Sequence, residues 1–200
     1  MHLPHFNVWW MMCLVDYWGS LCYFFYDILV YNLSWNSHLQ HMEIILQILL
    51  QHKLYARLSN YSFGLQNVDY LGHSVSGSGV SMEKEKVKAV LEWPVPTIIK
   101  QLWGFLGLTS NYRIFIHNYA FIITPLTDML KNDNFRWSNE ALTTFDSLKL
   151  AMTQAPVLSL PDFDKPFTLE TDASSLGIGV VLEQDNHSIA FFSKKLTLSL

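Results

Sequence analysis

The sequence predicts an α+β chain, and three observations carry that prediction. Apolar residues recur at helical spacing through 34–58 and again between 83 and 153, the tail over 167–192 reads as three short strands, and "YFFYDILVYN" at 23–32 alternates like a tight apolar hairpin. The expected architecture is a hairpin, a helical centre and an antiparallel sheet left incomplete.

The chain has 200 residues, enough for one ordinary domain or two small ones. Half of its residues are apolar and 15% are charged, so material for a core is ample and disorder is excluded. The formal charge of −4 weighs against a dedicated nucleic-acid binder, although one basic face is compatible with an acidic total. Cys13 and Cys22 show no metal-ligand spacing and are too few for a disulfide scaffold, which suits a reducing compartment and reads them as small hydrophobes. The apolar start is interrupted by Asp16 and Asp27, each costing about 2.5–3.5 kcal/mol at mid-membrane. It also lacks the basic start and small-residue cleavage site of a secretory signal. Neither a membrane span nor a signal peptide is expected, and the expected location is intracellular.

Each element follows from a local pattern. "SWNSHLQHMEIILQILLQHKLYARL" places Leu39, Met42, Leu46 and Leu49 on one helical stripe, with Ser34 or Ser37 as N-cap. His38 and His41 lie one turn apart on this helix, but no third ligand stands nearby and they read as solvated. In "FGLQNVDYLGHSVSGSGVSM", Val68, Tyr70 and Leu71 suggest a strand, Ser76 to Gly79 a turn, and the composition shift a boundary near Gly77. A helix over 83–92, capped by Ser81, is stopped by "WPVP", because proline disfavours helical geometry in the residue before it. Thr97 is expected to cap the next helix, and the pieces after it break around Asn118 and Pro125. Ser138 caps a further helix, with Glu140 favourable in its first turn and Phe145, Leu148 and Met152 on one face. The tail strands are expected at 167–171, 178–182 and 189–192. Because that sheet is unclosed, the chain is expected to stop inside a domain.

Read in order, "DILVYN", "HLQHMEIILQILLQHKLYA", "FGLQNVDYLGHSVSGSGV", "LWGFLGLTSNYRIFIHNYA", "PLTDMLK" and "APVLSLPDFDKPFTLETDASSLGIGVVLEQ" resemble the Pol polyprotein of Gypsy-class long-terminal-repeat retrotransposons. The resemblance runs from about Tyr23 to the last residue. It implies a divergent apolar segment at 1–20, a partial reverse-transcriptase palm with its edge hairpin at 21–76, thumb and connection helices at 77–134, and the start of an RNase H-like domain at 135–200.

The same resemblance assigns roles. The palm hairpin of the family carries two adjacent aspartates that hold catalytic magnesium. Asp27 matches the second, while Tyr26 replaces the first, so the Mg2+ site is expected to be incomplete; Asp16 is too close in sequence to substitute. In "LETDAS", Asp172 matches the first RNase H metal-binding carboxylate, and Glu170 shares its strand face by period-two alternation. Two-metal chemistry needs several converging acids, so both aspartates read as remnants, with no functional Mg2+ expected. "YLGH" (Tyr70, Leu71, Gly72 and His73) resembles the turn that steadies the primer end, and Lys84, Lys86, Lys88, Lys100 and Arg113 are candidate phosphate contacts. The alternating "EKEKVK" also fits a solvated helix face, and the family's basic pair appears here as Ser59 and Asn60, with Lys53 and Arg57 nearby. The implied function is a fragment of RNA-directed DNA polymerase and ribonuclease H ancestry that is catalytically inactive. The alternative is a binding module that grips RNA–DNA hybrid or DNA, or docks on a full-length reverse transcriptase. No small-molecule substrate and no membrane partner is expected, and the oligomeric state is left open.

Overall fold

The computed structural model describes residues 21–24, 27–32, 34–55, 61–131 and 135–196. They fall into two compact units, Met1–Gly64 and Leu65–Leu200. The mixture of helices and antiparallel sheets agrees with the predicted class.

In the first unit, β1 (Leu21–Phe24) pairs antiparallel with β2 (Asp27–Val30), Leu21 opposite Val30 and Phe24 opposite Asp27. Helix α1 (Trp35–Gln51) starts at Ser34, whose extended backbone lets its hydroxyl accept from the Ser37 N–H at 3.2 Å. Of the two expected caps, Ser34 is the one used. Ile45 is the one buried side chain of α1; Trp35, Leu39, Leu46 and Leu50 are exposed and border an open apolar cleft with Phe63. The helical stripe exists as read, but among the described residues most of it is left uncovered.

The second unit begins with a three-stranded antiparallel sheet, β3 (Asn67–Tyr70), β4 (His73–Ser76) and β5 (Gly79–Met82), in that order. Leu71, expected within the first strand, lies in the turn after it, and the turn expected over Ser76 to Gly79 joins β4 to β5. Ser81 is a β5 residue rather than a helix cap. Helix α2 (Lys84–Leu91) starts after Glu83 with no side-chain cap bond. The polar alternation of "HSVSGSGVSM" is weak in β-formers, which is why β4 and β5 were not legible.

Helix α3 (Ile99–Ser110) reverses the expected capping at Thr97. Gln101 reaches back, and its Oε1 accepts from both the Thr97 N–H and hydroxyl at 2.8 and 3.1 Å. A 3-10 turn (Arg113–Phe115) and two short helices, α4 (Tyr119–Ile122) and α5 (Thr124–Met129), follow. Asn118, at φ 56°, makes the expected break, whereas Pro125 stands in the first turn of α5, where its missing N–H costs nothing. Helix α6 (Asn139–Thr153) is built as read: Ser138 accepts from the Ala141 N–H at 3.1 Å, and Phe145, Leu148 and Met152 are buried.

The core of this unit gathers Val90, Leu102, Phe105, Phe115, Tyr119, Leu126, Phe145 and Leu148 from all these helices. Phe105 and Phe145 meet at 4.5 Å between ring centroids, with Trp137 edge-on to Phe145 at 5.7 Å. The "WPVP" segment is fixed from two sides. The Lys149 ammonium donates to the Leu91 and Trp93 carbonyls, and the Trp137 indole N–H donates to Pro96 at 2.6 Å. The tail sheet, β6 (Thr168–Ser174), β7 (Gly177–Gln184) and β8 (His187–Lys195), is the expected antiparallel meander with longer strands. It docks through β8 on the 3-10 turn and α4: His117 meets Phe191 edge-on at 5.6 Å, and the Ala120 N–H donates to the Ser193 hydroxyl at 2.9 Å.

Candidate nucleic-acid interface

The β3–β4 hairpin closes through two residues, since Tyr70 pairs with His73. Leu71 at φ 51° and Gly72 at φ 82° are both left-handed, the signature of a type I′ turn. Glycine suits this conformation; leucine does not, and a non-glycine residue held there is strained. The surroundings hold it. The Tyr112 hydroxyl and the Glu83 N–H both donate to the Gly72 carbonyl, each at 3.1 Å, while His73 Nδ1 donates to the Leu71 carbonyl at 3.1 Å. That carbonyl can only accept, so the His73 Nδ1 carries the proton.

Below the turn, the His73 ring stacks on Phe115 at 5.6 Å and leans on Tyr112 at the same distance. Tyr112 is buried, and a Cβ added to Gly72 would stand 2.7 Å from its hydroxyl. Glycine is therefore demanded twice here, by backbone angle and by space. Burial raises the Tyr112 pKa above the ordinary phenol value, and the negative charge of Glu83 raises it further. Burial likewise raises that of Tyr119, opposed by its hydrogen bond with Thr109 and by the charge of Arg113.

The five candidate cations are all exposed, and no ion pair among the described residues involves any of them. They are not one patch. At about 100° per residue, Lys84 and Lys88 share one side of α2 and Lys86 points away from them. The Lys86 Cε lies 4.0 Å from where a Gly72 Cβ would stand, beside the turn. Lys84 and Lys100 each occupy a first helical turn, where the macrodipole already favours anions and a lysine is locally unfavourable. Arg113 opens the 3-10 turn next to Tyr112.

The carboxylates are placed as follows. Asp27 begins β2 opposite Phe24; Tyr26, Asp16, Arg57, Ser59 and Asn60 lie outside the described residues. Asp172 pairs with Gly179 and Glu170 with Val181, on one face of β6 as the alternation requires, both exposed. Asn118 Oδ1 would stand 3.0 Å from a Cβ on Gly179, the residue paired with Asp172. His38 stacks on Trp35 at 5.6 Å, and His41 bonds Asn32 at 2.7 Å, so the two histidines share no ligand. Among the described residues no group of three or more His, Cys, Asp or Glu is placed to hold a metal ion. Those residues therefore assemble no donor set for a pair of divalent ions. Also among the described residues, no helix is long and apolar enough to cross a membrane.

A helical core carrying a braced turn is joined to a three-stranded antiparallel meander. Residues 137–199 match the family described as the RNase H-like domain found in reverse transcriptase. The chain is 38% identical over 172 residues to the retrovirus-related Pol polyprotein of transposon 297 from Drosophila melanogaster, covering 85% of this chain and 16% of that one. It is 44% identical over 131 residues to an uncharacterized mitochondrial protein of Arabidopsis thaliana, covering 64% and 83% of the two chains. The fold is similar to foamy viral protease-reverse transcriptase, solved in complex with an RNA/DNA hybrid, with TM-score 0.87 and 23% identity over 96% of this chain and 27% of that one. The chain belongs to the retrovirus-related Pol family of Gypsy-class retrotransposons. It spans about a sixth of the length of the transposon 297 polyprotein.

Two residues beside the turn were not singled out from sequence, Tyr112 and Phe115. Both stand in the quoted "NYRIF" run, but the Tyr112–Gly72 bond spans 40 positions, and no local periodicity reports a contact of that separation.

Proposed function

We propose that this chain grips an RNA–DNA hybrid and neither extends nor cleaves it. Residues 21–76 then correspond to a partial palm, 77–134 to the thumb and connection, and 135–200 to the start of the RNase H-like domain. The observation that carries the binding reading is the company kept by the β3–β4 turn: a braced tip with the Lys86 stem beside it, and no ion pair among the described residues claiming that cation. Cations that are not neutralised within the protein are free to replace the counterions condensed on phosphates. The foamy viral reverse transcriptase that shares this fold was solved with such a hybrid, which supports the same ligand here.

The reading of inactivity rests on the donors. Two-metal phosphoryl chemistry needs acids that converge on both ions. Tyr26 stands where the family has the first hairpin aspartate. On β6, Asp172 shares its strand face with Glu170.

The test is fluorescence anisotropy of a labelled RNA–DNA hybrid across a salt series, with primer extension and hybrid cleavage assayed on the same preparation. The expected result is saturable binding whose logarithm falls linearly with log salt, and no turnover. Absence of binding by the folded chain overturns the binding reading. Turnover abolished by Asp27→Asn or Asp172→Asn overturns the inactive one.

A further inference from the structure

We infer that Tyr112 is a positioning residue that makes the Leu71–Gly72 turn compatible with a phosphate backbone. The inference rests on the hybrid-binding reading and deepens it. A turn tip offers a nucleic-acid strand whatever its backbone exposes, and carbonyl oxygens repel phosphates. At this tip both carbonyls are already engaged: that of Gly72 accepts from the Tyr112 hydroxyl and the Glu83 N–H, and that of Leu71 accepts from His73 Nδ1. Both acceptors are engaged by donors of the protein itself. What remains at the surface is the exposed Leu71 side chain, with the Lys86 stem alongside.

Three features set Tyr112 apart from an ordinary buried tyrosine. Its hydroxyl reaches across 40 positions to one backbone atom of the turn, and it would collide with any side chain at Gly72. Its ring supports His73, which ties down the second carbonyl. The turn it holds contains a leucine at φ 51°, a strained conformation that is expected to loosen once the restraint is removed. A merely structural tyrosine would not need its hydroxyl aimed at the single strained turn of the hairpin.

The test compares wild type, Tyr112→Phe, Lys86→Ala and Gly72→Ala, the last alone and combined with Tyr112→Phe. Two readouts are used: the Leu71 one-bond Cα–Hα scalar coupling without ligand, which is smaller at positive φ, and hybrid affinity against salt. In Tyr112→Phe the coupling is expected to report a mixture of positive and negative φ. Affinity is expected to fall about fivefold at every salt concentration, the scale of one neutral hydrogen bond, with the salt slope unchanged. Lys86→Ala is expected to reduce the slope by about one unit. Gly72→Ala is expected to weaken binding more in wild type than in Tyr112→Phe, because only wild type carries the hydroxyl in its way. A Tyr112→Phe chain with unchanged coupling and affinity, measured against a wild type that binds, overturns the positioning role alone. A folded wild type that does not bind hybrid overturns the binding reading and this inference with it.

Discussion

Helices α1 and α6 begin alike and end differently. Each opens on a serine whose hydroxyl caps the third residue after it, and each carries an apolar stripe at helical spacing. Yet α6 buries Ala141, Phe145, Leu148 and Met152, whereas α1 buries Ile45 alone and leaves Leu46 45% and Leu50 71% exposed. Capping and periodicity decide that a helix forms. Burial is decided by what faces it, and for α6 that is Phe105, Trp137 and the helices around them. The contrast matters for function because the hairpin bearing Asp27 belongs with α1, while the braced turn belongs with α6.

The contrast is broken or sharpened most strongly by truncating the two stripes. Phe145→Ala is expected to cost about 3–5 kcal/mol, through lost burial and the cavity left between Phe105 and Trp137. Leu46→Ala is expected to cost under about 1 kcal/mol. Urea denaturation of both variants measures this, and comparable costs would break the distinction. Gly79→Ala should come next, at about 2 kcal/mol, since the glycine sits at φ 130° and a Cβ there would run into the Leu158 carbonyl bridged to β5. Loss of protection at the Val80 and Leu158 amides in hydrogen exchange would locate the damage.

The caps provide the matched control. Ser34→Ala and Ser138→Ala should each cost about 1 kcal/mol, because that chemistry is shared. Very different costs would mean that the two helices differ at their starts as well as along their faces.

pH gives the smallest effects, with opposite signs. Tyr112 has a raised pKa when folded, so its contribution is complete below the unfolded phenol value and is lost as pH rises through the folded one. Alkaline titration should therefore destabilise wild type more than Tyr112→Phe. Asp128 has a lowered pKa, first through its hydrogen bond from Lys131 and then through the charges of Lys131 and Lys195. Its contribution is present above the unfolded carboxylate value and is lost as pH falls through the folded one. These groups are half exposed or more, so the effect is small and high salt should erase it.

Much of the helical architecture was legible because its signals are local. Ser138 followed by an apolar stripe, "WPVP" after a short helix and the break at Asn118 all appear where the sequence puts them. Errors arose where a serine or threonine had two available roles: Ser81 pairs in β5, and Thr97 donates to Gln101 instead of capping. Of the candidate interface, the sequence indicated the turn and the cations, but not their division. Lys84 and Lys88 read as one run with Lys86 until helix geometry sends Lys86 alone to the turn. Tyr112 was out of reach, because a bond from position 112 to position 72 is a property of tertiary packing.

The most direct measurement of the central claim is a titration of the isotope-labelled chain with RNA–DNA hybrid, followed by amide chemical shifts. The account predicts saturable shifts concentrated at Leu71, Gly72, Glu83 and Arg113, with α1 undisturbed. Shifts centred on α1, or none at hybrid concentrations that saturate anisotropy, would contradict it.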